Sequence, residues 1–495
     1  MRAERAISLA VLALIAVAIH APRAHTDFSY DDYDFVLNNA AIRSPQRALD
    51  SFAEPFPPHL PDRGIYRPVT NLSYALDYQL WQLDGRGFHW TNVALYALVV
   101  GLVFALARFH DPASGFAFAV AALFAVHPVH CEAVDSVTGR SELLAASFVL
   151  VSILAFARAA QHCAGSHLTR AISLTVSAAA AYALGAFSKE VGAVLPGVLA
   201  IYFLCYGRRP DEPIARWSGR GTLLLAPFAA VALAYFAARW HALGWLAPEQ
   251  GMLDSQSFAF RMHTIGMSWL QYMRQLVAPA TLHVDYYWDQ FFQRPRHTFA
   301  AALAGCVLLA AALLAFAALI GRALRAPRSS GERTLLCGFS FVAVFLLPVM
   351  HVLPTLGWMS ERYLFLPSVG FCLLVVLGVR EVLRRIAVAP HAQRVAAGVL
   401  LVIVIAAGGV RSHQRALEWR DELLLWTVED AARPNDARIL TNLSLVYARR
   451  GQTTEAADAL RRARAAEPRL AVLDRIEDPI EDHLRASRGG SRPQD

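Results

Sequence analysis

The sequence predicts an all-α membrane protein, a polytopic bundle of about eleven transmembrane helices. Hydrophobic residues make up 56% of the 495 residues and charged residues only 17%, whereas soluble domains carry about 25% charged residues. Apolar runs that approach the roughly 20 residues needed to cross hydrocarbon recur along most of the chain. These two observations exclude a soluble globular protein.

The spans follow from the positions of the apolar runs. The first run follows Arg2 and Arg5, so residues 1–24 form either a span or a cleaved signal peptide. In both cases the residues that follow lie on the exterior side. We place the spans at 6–20, 90–108, 114–128, 141–158, 170–187, 190–206, 222–240, 298–321, 334–353, 363–380 and 393–410.

Arginine supplies most of the basic residues behind the net charge of +7, and it is concentrated in three connections between spans. Such clusters are typical of cytoplasmic loops, so the charge gives no reason to predict a nucleic-acid partner. All three connections lie on the same side of the membrane if 263–280 is an interfacial or re-entrant helix that does not cross the membrane. The N-terminus is then cytoplasmic and the C-terminus exterior. The clusters are Arg208, Arg209, Arg216 and Arg220; Arg322, Arg325, Arg328 and Arg333; and Arg380, Arg384, Arg385 and Arg394.

The long first exterior loop, 21–89, contains three crowded carboxylates, Asp31, Asp32 and Asp34, in "YDDYD". Further along the loop, apolar residues recur every three or four positions and predict an amphipathic helix that lies on the membrane. A carboxylate beside such a helix indicates a site at the membrane surface, where a lipid-carried substrate meets a water-soluble one. The apolar stripe consists of Val69, Leu72, Leu76, Leu80 and Leu83.

Other exterior helix ends carry ionisable residues in the segments "HPVHCEAVDSVTGRSE", "SKE" and "MSERYLFLP". Such groups in a membrane protein indicate a polar cavity or pathway. Structural alternatives stay open for each of them. The two histidines either bind a metal or form a hydrogen-bonded pair; the arginines either anchor helix ends at headgroups or hold a phosphate; and the aspartates either form an acidic turn or catalyse. The candidates are His127, His130, Glu132, Arg140, Lys189, Glu361 and Arg362.

Several of these segments resemble the transmembrane and TPR-containing protein O-mannosyltransferases, members of the GT-C glycosyltransferase superfamily. The resemblance covers about residues 28–469. It is carried by "YDDYDFVLNN", "YRPVTNLSYALDYQLWQLDGRGFHWTNVALYAL", "HPVHCEAVDSVTGRSELLAASF", "SKEVG" and "ERYLFLPSVGFCLL", in that order. The sequence departs from the family at the C-terminus, where it has one tetratricopeptide repeat and the family usually has many.

The repeat is also indicated by its own spacing. With Pro468 as the closing proline of a 34-residue unit, "RRGQ" forms the turn between two helices. A single unit does not bury its own face, so it needs a neighbouring helix or partner. We therefore predict a GT-C-like domain at 1–410, a TPR-like helical region at 411–484 and a disordered tail at 485–495. The packing positions are Leu440, Leu443, Ser444, Tyr447, Ala456, Leu460 and Ala463.

The resemblance implies a membrane glycosyltransferase that moves mannose or another hexose from a polyprenyl-phosphate carrier to an exterior hydroxyl, such as a protein Ser or Thr. It assigns the general base to Asp31, with Asp32 assisting, and the donor phosphate to Arg362 with Arg140 and Lys189. No metal and no cofactor are expected. A non-catalytic TPR scaffold and a transporter remain as alternatives. The lysine-poor, Ala/Arg-rich composition indicates a high-GC bacterium, which places the protein in the inner membrane with its repeat in the periplasm. In a eukaryote the same face would be the ER lumen.

Overall fold

The computed structural model describes residues 2–164, 167–208, 212–246, 257–284, 286, 295–325, 329–352, 359–386 and 389–467. Arg209, Arg328, Pro468 and the tail at 485–495, all used in the sequence predictions, lie outside the described residues. The chain divides into two compact units between His413 and Gln414.

The first unit is built from helices. In chain order they are α1 (Arg2–His20), α2 (Pro45–Leu49), α3 (Pro68–Trp81), α4 (Gly85–His110), α5 (Ser114–Ala125), α6 (Cys131–Asp135), α7 (Arg140–Ala164), α8 (Leu168–Ser188), α9 (Leu195–Tyr206), α10 (Ile214–Leu243), α11 (Phe258–Val277), α12 (Pro295–Arg325), α13 (Ser330–Leu346), α14 (Phe365–Arg385) and α15 (Pro390–Trp419), the last of which continues into the second unit.

The fold class predicted from composition is confirmed. Among the described residues, nine helices are long and apolar enough to cross a membrane. A tenth span results if α5 and the segment Pro128–Asp135, which meet at 55°, count as one. The remaining predicted span, 190–206, corresponds to Glu190–Tyr206, an apolar helix shorter than the nine candidate spans. Helix α11 is not among the candidate spans, because its polar residues lower its mean hydropathy.

The first loop, 21–89, folds around a small core of its own. Phe35, Phe56 and Tyr74 are buried there together with Phe88 at the start of α4. Helix α3 begins at Pro68, a residue whose fixed φ suits the first helical position. This core holds α3 and the preceding short turns in one arrangement against the helix ends.

Helix α3 presents two leucines of the predicted stripe outward, while Leu72 packs against the core of the first loop. Leu76 is 55% exposed and Leu80 72% exposed, whereas Asn71 and Tyr74 on the opposite face are buried. In a soluble protein the leucines would face the core. The inverted arrangement agrees with the predicted position of this helix on the membrane surface.

Close backbone approaches fix the packing at two glycines. A Cβ on Gly139 would lie 2.2 Å from the carbonyl oxygen of Ala133, so a side chain does not fit in the turn that leads into α7. A Cβ on Gly370 of α14 would lie 2.2 Å from the carbonyl oxygen of Gly338 in α13. Small residues at such crossings allow membrane helices to pack closely.

The second unit contains α16 (Glu422–Ala432), α17 (Ala437–Arg449) and α18 (Thr453–Ala466). Asp421 and Asp436 cap α16 and α17 by accepting backbone N–H bonds. Gly451, at φ 73°, makes the turn between α17 and α18, as predicted for "RRGQ". Leu440 and Leu460 are buried between these helices, and α16 packs against α17, so the hairpin has the neighbouring helix that a single repeat needs.

Candidate active site

Charged side chains gather where the first loop meets the ends of the membrane helices. The hydroxyl of Thr70 donates to the carbonyl oxygen of Ser188 at 2.8 Å, and the hydroxyl of Tyr74 donates to that of Val137 at 3.0 Å. These bonds hold α3 across the C-terminal end of α8 and the N-terminal end of α7. The charged cluster at this junction consists of Asp31, Arg67, Glu132, Glu142, Lys189, Glu190 and Arg362.

Asp31 is the carboxylate that faces the cluster. Its side chain is half-buried and makes no hydrogen bond to the described part of the chain. Burial raises the pKa of Asp31 above its usual value, while the positive charges of Arg362 and Arg63 oppose that rise. Tyr30, immediately before it, has a φ of 53°, a conformation uncommon for a residue other than glycine. This kink turns the chain so that Asp31 and Asp32 have different surroundings.

Asp32 is fully buried and ties the first loop to the turn before α7. Its Oδ2 accepts the backbone N–H of Ser29 and its Oδ1 that of Thr138, each at 3.1 Å, and the hydroxyl of Ser136 donates to Oδ1 at 3.3 Å. Burial raises the pKa of Asp32 to about 6, although Arg23 and the two N–H donors favour the charged form. Both oxygens are engaged in holding the loop, so Asp32 serves as an anchor.

Asp34 lies on a different side of the same turn. It accepts a hydrogen bond from the guanidinium of Arg63 at 2.7 Å, and both side chains are well exposed. The three carboxylates of "YDDYD" therefore have three environments: Asp31 at the cluster, Asp32 in the protein interior and Asp34 at the surface.

Arg362 lies at the N-terminal end of the span that contains α14, next to Glu132. The backbone N–H of Arg362 donates to Oε2 of Glu132 at 2.9 Å, and its Nε lies 3.5 Å from Oε1. The hydroxyl of Ser360 donates to the same Oε1 at 2.5 Å. Glu132 is nearly fully buried, whereas the Arg362 side chain is 28% exposed. Within the described residues, no hydrogen bond engages the two terminal nitrogens of this guanidinium, so they can bind an anion.

Glu361 adjoins Arg362 in sequence but has separate partners. Its Oε1 accepts the backbone N–H of His283 at 2.5 Å and the hydroxyl of Tyr286 at 2.9 Å. Glu361 is fully buried. It connects the segment after α11 to the start of α14 and faces away from solvent.

Two further ion pairs complete the cluster. Lys189 pairs with Glu142 in a nearly fully buried bridge, and its Nζ lies 5.4 Å from the ring centre of Tyr363. Burial lowers the pKa of Lys189, although the negative charge of Glu142 opposes this. Arg67 binds Glu190 with two hydrogen bonds, at 3.0 and 2.5 Å. Glu190 is 45% exposed, so the Arg67 pair borders solvent while the Lys189 pair does not.

Arg140 differs from its predicted role. Its side chain is fully buried; Nε donates to Asn92 at 2.9 Å, Nη2 donates to the carbonyl oxygen of Phe88 at 2.8 Å, and Nη1 lies 2.5 Å from Asp77. The guanidinium also lies 5.0 Å from the ring centre of Tyr74. With every nitrogen facing an internal partner, Arg140 joins α3, α4 and α7, and the structure gives it no open face toward a donor phosphate.

The two predicted histidines are buried and hydrogen-bonded. Nε2 of His127 donates to the carbonyl oxygen of Leu276 at 3.0 Å. His130 lies between the hydroxyl of Tyr96 at Nδ1 and that of Ser368 at Nε2, both at 2.9 Å. The Ser368 hydroxyl donates to the carbonyl of Phe365, so Nε2 of His130 donates to Ser368. These bonds fit the hydrogen-bonded alternative and not a pair of metal ligands.

In the described part of the chain, one group of three side chains has the composition of a metal site: His20, Cys131 and Asp135. Nδ1 of His20 and Oδ1 of Asp135 are 2.8 Å apart and hydrogen-bonded to each other. Nε of Arg23 donates to the carbonyl oxygen of Asp135 at 3.0 Å. These contacts connect α1 to α6 and give the group a structural role.

Arg67 and Glu142 belong to the charged cluster, although neither is among the residues predicted for the site. Arg67 directly precedes Pro68, the first residue of α3, and Glu142 lies two residues after Arg140. Both occur inside segments that carry the family resemblance. Their position in those segments is the feature of the sequence that could have pointed to a role in the site. Their partners could not be read from a local pattern, because Glu190 and Lys189 lie 123 and 47 residues away in sequence.

Comparison with known proteins agrees with the predicted resemblance. No family model matches the sequence. Protein O-mannosyl-transferase F38B6.6 of Caenorhabditis elegans is 26% identical over 458 residues, which cover 87% of this chain and 58% of the relative. Protein O-mannosyl-transferase Tmtc3 of Drosophila melanogaster is 26% identical over 486 residues, covering 86% of this chain and 51% of the relative. Mouse protein O-mannosyl-transferase TMTC4 is 25% identical over 503 residues, with coverages of 90% and 64%.

The chain spans between half and two thirds of the length of these three curated relatives. The aligned share of this chain is much larger, between 86% and 90%. Over most of its length, therefore, the protein is similar to animal proteins named protein O-mannosyl-transferases.

Proposed function

We propose that this protein is a membrane glycosyltransferase that transfers mannose or another hexose from a polyprenyl-phosphate carrier to a hydroxyl on an exterior protein. The names of the aligned relatives support the reaction class and a protein acceptor. The candidate spans support a substrate carried by the membrane, because the charged cluster lies at the ends of apolar helices.

The observation that carries the proposal is that Asp31 lies in the electrostatic field of Arg362. Asp31 is a half-buried carboxylate, and within the described residues neither it nor the two terminal nitrogens of the Arg362 guanidinium has a hydrogen-bond partner. Both groups come from the ends of membrane helices or the loop beside them. A general base and a phosphate-binding cation are the two groups that glycosyl transfer from a lipid phosphate requires.

In the proposed step, the acceptor hydroxyl oxygen attacks the anomeric carbon of the sugar and forms a new C–O bond. The bond from that carbon to the phosphate oxygen breaks, and the lipid phosphate leaves with the electron pair. Asp31 takes the proton of the attacking hydroxyl. Arg362 binds the leaving phosphate, whose charge increases during the step, through planar N–H donors that match phosphate oxygens.

The other members of the charged cluster position these two groups. Glu132 holds the backbone and Nε of Arg362, so it fixes the guanidinium relative to the first loop. Arg67 and Lys189 also lie near Arg362, each in an ion pair with a glutamate. Among these cations Arg67 is the better placed for direct phosphate contact, since Lys189 is nearly fully buried against Glu142.

The proposal places the charged cluster and the repeat on the exterior face of the inner membrane, with the N-terminus in the cytoplasm. The arginine-rich connections support this orientation. We expect reporter fusions after Arg216 and Arg385 to show a cytoplasmic location, and fusions after Asp62 and Arg450 an exterior one. A cytoplasmic signal at Arg450 would contradict this arrangement.

The function is tested by glycan analysis of envelope proteins from a strain that lacks the gene. We expect hexose on Ser or Thr of one or more exterior proteins to disappear in the deletion strain and to return with the wild-type gene. The matched control is the Asp31→Asn gene expressed to the same level in the membrane. An unchanged glycan profile in the deletion strain would overturn the proposed acceptor and reaction.

A further inference from the structure

A deep groove opens between α5, α14 and α15, with a volume of about 680 Å³. All three helices belong to candidate membrane spans, so the groove faces the bilayer rather than water. Its walls are apolar along most of their length. They include Phe116, Ala119, Leu123, Val376, Leu401 and Val404.

Helix α15 contributes one wall and is the least covered of the helices around the groove. Only 6% of its apolar window is buried inside the protein, compared with 56% for the span that contains α14. Val399 on this helix is 54% exposed and Leu400, which lines the groove, is 44% exposed. Acyl chains are the apolar material available to cover such a surface within a bilayer.

One end of the groove is basic. Arg380 pairs with Asp111 and lies 4.9 Å from the ring centre of Phe116, so its charge is already partly neutralised. Arg384 lies 3.1 Å from Glu381 but is 61% exposed. Arg394 is exposed and bonds only weakly, at 3.4 Å, to a backbone carbonyl of its own helix. Within the described residues, Arg384 and Arg394 therefore keep guanidinium donors without partners at the mouth of the groove.

The basic end belongs to the opposite leaflet from the charged cluster. Helix α14 has 21 residues and runs from beside Arg362 to Arg385, a length of about 30 Å at 1.5 Å per residue. This distance is about the thickness of the hydrocarbon core. A headgroup at Arg384 thus cannot be the donor phosphate held at Arg362.

We propose that this groove is a binding site for an anionic phospholipid, with the lipid phosphate on Arg384 and Arg394 and an acyl chain along the apolar walls. Basic pockets between membrane helices bind anionic headgroups in this way. Arginine suits the task because its planar donors bind phosphate oxygens in pairs. The groove's long apolar wall favours a lipid over a free phosphate.

The test uses the full-length protein purified in mild detergent, with bound lipids counted by native mass spectrometry after addition of phosphatidylglycerol or phosphatidylcholine. We expect the wild type to retain phosphatidylglycerol at least several-fold better than phosphatidylcholine. Arg384→Gln with Arg394→Gln should remove that preference while the protein stays folded. Arg385→Gln, which changes a neighbouring arginine outside the groove lining, is the matched control.

A second variant blocks the groove without touching a charge. Gly398 lines the groove, and a Cβ there meets no atom within 4 Å, so Gly398→Phe extends into the open space. Gly321 of α12 has the same open surroundings and does not line the groove, so Gly321→Phe is its control. We expect Gly398→Phe to lose the bound lipid and Gly321→Phe to retain it.

Equal retention of both phospholipids by the wild type would overturn the proposal, as would full retention by both the double arginine variant and Gly398→Phe. A parallel titration with polyprenyl phosphate separates the two lipid sources. Retention of polyprenyl phosphate but not phosphatidylglycerol, lost in the same variants, would overturn the phospholipid assignment and make the groove a carrier site. The readout does not use transferase activity, so it is independent of the proposed function.

Discussion

Replacing Asp31 with asparagine is expected to lower turnover about 10²–10⁴-fold, the usual contribution of a positioned general base. Asparagine keeps the size of the side chain but does not take a proton. Donor binding should persist, because the phosphate is proposed to lie on Arg362. The measurement is turnover and donor affinity of the purified full-length protein with a polyprenyl-phosphate sugar and a Ser/Thr acceptor.

The neighbouring carboxylates provide the controls for this variant. Asp34→Asn removes a surface pair with Arg63 and should change turnover little. Both oxygens of Asp32 accept hydrogen bonds, and Asp32→Asn puts an NH2 group, which does not accept, at one of the two positions. The variant should therefore lower thermal stability more than it lowers turnover of the folded protein. Normal turnover in Asp31→Asn would exclude Asp31 as the base and favour the non-catalytic scaffold.

The pH dependence of turnover is a second test of the role of Asp31. The base is active as a carboxylate, and burial raises the pKa of Asp31 above the usual 3.8. Activity should therefore fall on the acid side at a higher pH than an ordinary aspartate would give. Because the charge of Arg362 lowers the pKa of Asp31, Arg362→Gln should move this acid limb to still higher pH.

Replacing Arg362 with alanine is expected to reduce turnover about 10²-fold or more, the effect of removing one fixed donor that stabilises developing charge. Donor affinity should fall with it, which distinguishes this variant from Asp31→Asn. Arg362→Lys should restore activity only in part, because lysine keeps the charge but loses the planar donor pair. Steady-state kinetics with varied donor concentration measure both quantities.

Arg63 is the matched control for Arg362, since both guanidinium groups act on Asp31. Arg63 is already bound to Asp34 at the surface, so Arg63→Ala should cost much less turnover than Arg362→Ala. If the Arg362→Ala protein kept full activity, Arg362 would be a headgroup anchor and the phosphate would have to lie elsewhere in the charged cluster.

The sequence does not separate the roles of Arg140 and Arg67. Each lies at the start of a helix and within a segment that carries the family resemblance. No local feature of the sequence therefore distinguishes a buried structural arginine from one at the charged cluster. The structure separates them because Arg140 meets Asp77, Asn92 and Phe88 in the interior. Arg67 instead borders solvent with Glu190.

The sequence by itself determined the membrane class, the positions of the apolar helices and the first loop with its acidic triplet and amphipathic helix. These features depend on composition and on spacings of a few residues, so they can be recognised from short stretches of the sequence. Only the tertiary structure decided that Asp31, and not Asp32, faces Arg362. The two aspartates are adjacent in sequence, and they differ only in the distant parts of the chain that surround each side chain. The partners that make this difference, Thr138 and Arg362, lie more than one hundred residues from the acidic triplet, and helix packing alone brings them to it.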